Sequence, residues 1–113
     1  MLNAGGTAIE AMVAAAASIA VTYPHMNGIG GDGFWLIHRP GMAPVGISAC
    51  GRAASLATSG WYAAQGVTGA IPARGALAAL TVPGTIDGWA KALALVPDRR
   101  RMPLKDLLGV AIS

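Results

Sequence analysis

The sequence predicts the α+β fold class, and three observations carry that expectation. Residues 7–22 are rich in alanine and open on Thr7-Ala8-Ile9-Glu10, the pattern of a capped helix start. Residues 34–38 and 44–49 are short runs of β-formers separated by Pro40-Gly41, which read as a hairpin. Residues 86–96 and the stretch from Pro103 onward read as helices again.

In the first helix, the Thr7 hydroxyl can take one orphan N–H while Glu10 reaches back to another. Pro24 disfavours helix at Tyr23 and sets the end near Thr22. The helix is apolar nearly all round, which predicts burial on most faces. A break separates it from the hairpin: Gly28, Gly30, Gly31 and Gly33 fall within six residues. Glycine reaches φ > 0 and admits close backbone approach, so these four are read as a tight, backbone-built turn. Beyond the hairpin, residues 55–65 read as a short helix broken near Gly60, and residues 66–75 as a loop. Residues 76–82 are apolar and read as a third, buried strand ended by Pro83-Gly84. Thr85 is placed to cap the next helix, with Asp87 in its first turn, where the helix dipole favours negative charge. Pro103 suits the first turn of the last helix.

The chain has 113 residues, room for one domain but not for two sizeable ones. It is 54% hydrophobic and only 12% charged, which excludes disorder. That balance, with apolar sequence at both ends, predicts a piece of a larger protein whose apolar faces meet other segments. Three of its eight positive charges are Arg99, Arg100 and Arg101, between Pro97-Asp98 and Pro103. They read as a solvated loop and not as the basic, aromatic-interleaved stripe that nucleic acid requires. Cys50 is the single cysteine, so no internal disulfide forms, and its commoner role is that of a small buried hydrophobe. The apolar run 11–21 is shorter than the about 20 residues of a membrane span. It lacks the basic flank of a signal peptide, so the sequence leaves the compartment open between cytoplasm and periplasm.

Gly28, Gly30 and Gly33 satisfy G-x-G-x-x-G, but a dinucleotide loop needs a strand before it, a helix after it and an acid about 20 residues on. Here the order is reversed, and no Asp or Glu lies between Asp32 and Asp87. The nucleotide reading is rejected. His25 has no second ligand-type residue spaced near it and reads as structural, as does Asp32, which is placed to cap or shape the turn. Arg52 follows a strand and a glycine. Its fork can grip a carboxylate, although on the residues alone a surface arginine, or one paired to a structural acid, is the favoured reading.

Pro24-His25, two residues on Gly28-Ile29-Gly30-Gly31, then Gly33-Phe34, resembles a signature near the start of the gamma-glutamyltransferase large subunit. Gly5-Gly6 leading into the first helix, Val82-Pro83-Gly84-Thr85 before a Gly-Trp helix, and Pro103 through Ile112 resemble three further segments of that family, in the same order. The resemblance implies part of the αββα sandwich of N-terminal-nucleophile hydrolases. It implies one segment, 1–113, opening a large subunit that partners the remainder of that subunit and a small catalytic subunit. It implies transfer or hydrolysis of gamma-glutamyl groups by an N-terminal threonine outside this chain, so that the chain alone is inactive. Neither cofactor nor metal is implied, and neither nucleic acid nor membrane is a partner. Arg52 takes the place of the family's arginine that binds the substrate α-carboxylate. The usual Arg-Glu-x-Ala-Pro is not kept, since Ala53 replaces the glutamate, which implies a substrate preference differing from glutathione. A stand-alone, non-catalytic domain derived from the family is the alternative.

Overall fold

The computed structural model describes residues 1–78 and 81–112. After a short 3-10 turn, Leu2–Ala4, the chain forms α1 (Ala8–Thr22), β1 (Gly33–Ile37), β2 (Val45–Ala49) and α2 (Ser59–Ala64). It then forms α3 (Thr85–Leu93), a 3-10 turn over Asp98–Arg100, and α4 (Leu104–Ile112). This mixture of helix and sheet matches the α+β class.

The α1 start is the expected capping box. Glu10 N–H donates to the Thr7 hydroxyl, and Thr7 N–H donates back to the Glu10 carboxylate at 2.7 Å. One face of α1, with Ile9, Val13 and Ala17 spaced by four, packs on Trp89, Ala92 and Leu93 of α3, on Val96 and on Leu107 of α4. The other side of α1 does not meet the expectation of burial. Met12, Ile19 and Val21 are exposed because no described element covers them.

β1 and β2 pair antiparallel with Trp35 opposite Ile47 and Phe34 opposite Ser48. The period of two sends Trp35, Ile37 and Ile47 toward the helical core, while Phe34 and Leu36 stand 73% and 82% exposed on the other face. α3 lies directly on this hairpin at Gly88, where a Cβ would come within 2.7 Å of the Ala49 side chain. A glycine in mid-helix is therefore a packing requirement.

Three boundaries differ from expectation. The cap of α2 is Thr58, whose hydroxyl accepts from Trp61 N–H, so Gly60 sits inside the first turn and breaks nothing. α3 begins at Thr85 with Gly84 as its cap, because the Thr85 hydroxyl donates to the Gly31 carbonyl instead of capping its own helix. It ends at Leu93, and tighter turns at Leu95 and Val96 carry the chain to Pro97. Of the strand expected over 76–82, residues 79 and 80 lie outside the described residues. Ala78 closes a turn on Gly75, and Thr81 makes a single antiparallel bridge to Ala53. Pro83 has no N–H with which to extend a ladder.

Candidate functional site

Arg52 is held by its backbone. Three segments meet beside it: the glycine turn, the end of β2 and the approach to α3. Gly51 N–H donates to Asp32 Oδ1 at 3.1 Å, and Val82 N–H donates to the Arg52 carbonyl at 3.0 Å. The Gly31 carbonyl accepts from Gly84 N–H, Thr85 N–H and the Thr85 hydroxyl at 3.0, 3.0 and 2.8 Å. The approach is so close that a Cβ on Gly51 would stand 1.4 Å from the Val82 oxygen. One on Gly84 would stand 2.0 Å from the Ala49 oxygen. Only glycine fits at these two crossings, whatever the φ.

The four glycines singled out from the sequence behave otherwise. Gly28, Gly30, Gly31 and Gly33 sit in the segment between α1 and the first pair of β1, and none has positive φ; Gly5, Gly41, Gly66 and Gly75 do. A Cβ at Gly30 or Gly31 meets open space, and at Gly33 it would touch the backbone of Thr85 at 3.4 Å. None of the four uses the left-handed backbone open to glycine; this turn offers the Gly31 carbonyl and the Asp32 carboxylate to its neighbours. The hydrogen bond that Asp32 makes is not the expected one within the turn: its Oδ1 accepts from Gly51 N–H, just past the end of β2.

The Arg52 side chain is exposed and makes no hydrogen bond or ion pair among the described residues. It borders a depression of about 380 Å³ with Cys50, Pro83, Asp87 and Lys91. Asp87 and Lys91 pair with each other along α3. Two cations against one carboxylate make the lining electropositive, and a free guanidinium there can fork onto a carboxylate. Sequence reasoning missed Lys91 and the two crossing glycines. The adjacency of Gly51 to Arg52 was the available signal.

Cys50 is exposed, not buried as expected, with its sulfur 3.5 Å from the Ser48 hydroxyl. Strand alternation turns Ala49 inward and Cys50 outward. His25 is exposed and stacks at a tilt on Tyr23, with 4.1 Å between ring centroids. Among the described residues, no group of three His, Cys, Asp or Glu is placed to hold a metal ion, and no helix is long and apolar enough to cross a membrane. The glycine segment follows a helix and precedes a strand, the reverse of a dinucleotide loop.

Glu10 is the one charged side chain fully buried among the described residues. Its carboxylate accepts from Thr7 N–H, from the Thr7 hydroxyl at 2.8 Å and from Met102 N–H at 2.6 Å. Burial raises its pKa, but those hydrogen bonds, with the charge of Arg101, outweigh it and hold the group below its ordinary value. This carboxylate is structural: it ties the start of α1 to the entry of α4.

The family model for gamma-glutamyltranspeptidase matches residues 1–113. The chain is 57% identical over its whole length to the oxamate amidohydrolase proenzyme of Klebsiella pneumoniae, of which it covers 21%. It is 40% identical over 98% of its length to the glutathione hydrolase-like YwrD proenzyme of Bacillus subtilis, covering 20% of that protein. The solved structure of Helicobacter pylori gamma-glutamyltranspeptidase superposes with a TM-score of 0.78 at 34% identity, over 98% of this chain and 31% of that one. The chain belongs to the gamma-glutamyltranspeptidase family. It spans about a fifth of the length of the curated relatives it matches.

Proposed function

We propose that this chain is the opening segment of the large subunit of an amide-hydrolysing family member, and that Arg52 binds a carboxylate of the substrate. The observation that carries the reading is a guanidinium without a partner among the described residues, set by a backbone junction at the edge of an electropositive depression. In this reading an N-terminal threonine elsewhere in the protein attacks the amide carbonyl. Its own amine takes the hydroxyl proton and gives it to the departing nitrogen as the C–N bond breaks, and water then hydrolyses the resulting ester to the free acid and the threonine hydroxyl. Arg52 contributes binding and orientation, not bond-breaking. The exposed outer face of the hairpin, with Phe34 and Leu36, then meets the second sheet of an αββα sandwich.

The substrate we favour is a small amide bearing a carboxylate, of the oxamate kind, over glutathione. Two observations support this. The relative at 57% identity is an oxamate amidohydrolase, and Ala53 stands where the family's glutamate follows the arginine. A gamma-glutamyl amide also bears a carboxylate, separated from the scissile carbonyl by three carbons, and is the second reading, supported by the glutathione hydrolase-like relative.

The test begins with the intact mass of the full-length gene product. Two chains, the second starting at a threonine, are expected. Release of ammonia from oxamate and cleavage of a gamma-glutamyl anilide are then compared, with and without Arg52→Ala. Losing a charged hydrogen-bond partner costs on the order of 2–5 kcal/mol, so KM should rise at least thirtyfold. A single unprocessed chain that hydrolyses neither amide would instead mean a non-catalytic domain.

A further inference from the structure

Arg52 lies outside regular secondary structure, so something other than a strand or helix must fix its direction. Its carbonyl is held by Val82 N–H. On the other side, the Cys50–Gly51 peptide, one residue before Arg52, is held by Asp32, whose Oδ1 accepts the Gly51 N–H at 3.1 Å across 19 residues of sequence. This is the one side-chain hydrogen bond among the described residues that reaches the residue before Arg52. Asp32 is itself exposed, so its removal leaves no buried group stranded and no cavity in the core. The backbone bonds between Gly31 and residues 84 and 85 keep the turn in place without it. What Asp32 adds is local: it orients the Cys50–Gly51 peptide, from which the chain enters Arg52.

We infer that Asp32 is a positioning residue for the substrate carboxylate site, acting through the Gly51 amide on Arg52. The inference rests on the carboxylate-binding role proposed for Arg52. It assigns a task to a residue that sits among the turn glycines without touching the depression that Arg52 borders. The bond needs an oxygen acceptor, not a charge. Asn therefore serves in its place, whereas Ala does not.

The experiment compares Asp32→Ala, Asp32→Asn, Arg52→Ala and the double variant Asp32→Ala/Arg52→Ala in the full-length protein. Steady-state kinetics are followed on oxamate and on a gamma-glutamyl anilide. Whichever amide the parent protein hydrolyses is the reporter. Loss of one hydrogen bond of this kind predicts a rise in KM of about three- to tenfold for Asp32→Ala, with kcat and the melting temperature near parental. Asp32→Asn should restore the parental KM. Adding Asp32→Ala to Arg52→Ala should raise KM no further, because the two act on one contact. An unchanged KM in Asp32→Ala beside a large rise in Arg52→Ala overturns this inference alone. So does a fall in kcat with KM unmoved, or an Asn variant as impaired as Ala. An unchanged KM in Arg52→Ala overturns the carboxylate role of Arg52, and the inference falls with it.

Discussion

Substituting Glu10 tests how the helices are held together. Its carboxylate takes three hydrogen bonds at 2.6 to 2.8 Å, two of them from backbone N–H groups, in a site with no exposure. Glu10→Ala leaves the N–H of Thr7 and of Met102 without their acceptor. At about 1–3 kcal/mol for each stranded donor, the expected cost is about 2–6 kcal/mol. Glu10→Gln keeps one oxygen but turns an NH2 toward a donor, so it should fall at the lower end. The pH dependence has a definite sign. The folded carboxyl lies below its ordinary value, so between the two values the unfolded chain binds the extra proton. The stabilisation is therefore present above the ordinary glutamate range and is lost as pH falls through the folded value. The assay is urea unfolding of the full-length protein as a function of pH, with hydrogen exchange at the Met102 amide as the local readout. Glu10→Ala should speed that exchange at neutral pH, and Glu10→Gln should flatten the acid limb. Parental exchange at Met102 in the alanine variant would refute the reasoning, because the amide would then owe its protection to something else.

The backbone crossing beside Arg52 makes a second contrast. Gly51→Ala and Gly84→Ala should each abolish soluble expression or cost well over about 3 kcal/mol, because the clashing atoms are carbonyl oxygens of the main chain. Gly30→Ala should be tolerated within about 1 kcal/mol, since its Cβ meets open space at a φ that is not positive. A denaturation midpoint for Gly30→Ala as low as that for Gly51→Ala would overturn the contrast. Thr85→Val removes the hydroxyl that donates to the Gly31 carbonyl. That carbonyl keeps two backbone donors, so a loss of about 0.5–1.5 kcal/mol in thermal or urea unfolding is expected. A loss no greater than error would show the hydroxyl to be idle.

Much of the fold was legible because local chemistry decided it. The Thr7-x-x-Glu10 box, the alanine run and the proline after it set α1 without help from the rest of the chain. Short runs of β-formers on either side of Pro40-Gly41 set the hairpin. The resemblance to gamma-glutamyltransferases came from four segments in the family's order, and the family match spans residues 1–113.

Only the tertiary structure decided which glycines are indispensable. Sequence drew attention to Gly28, Gly30, Gly31 and Gly33 because they cluster. Gly51, Gly84 and Gly88 have no room for a side chain, and that depends on distant segments crossing. The same limit explains Thr85 and Glu10. Their residue types announce capping, but Thr85 gives its hydroxyl to Gly31, and Glu10 adds the Met102 amide to its own helix start, 92 residues away. Hydrogen-bonding capacity is written in the residue type. The choice of partner belongs to whatever group the folded chain brings within three ångströms or so.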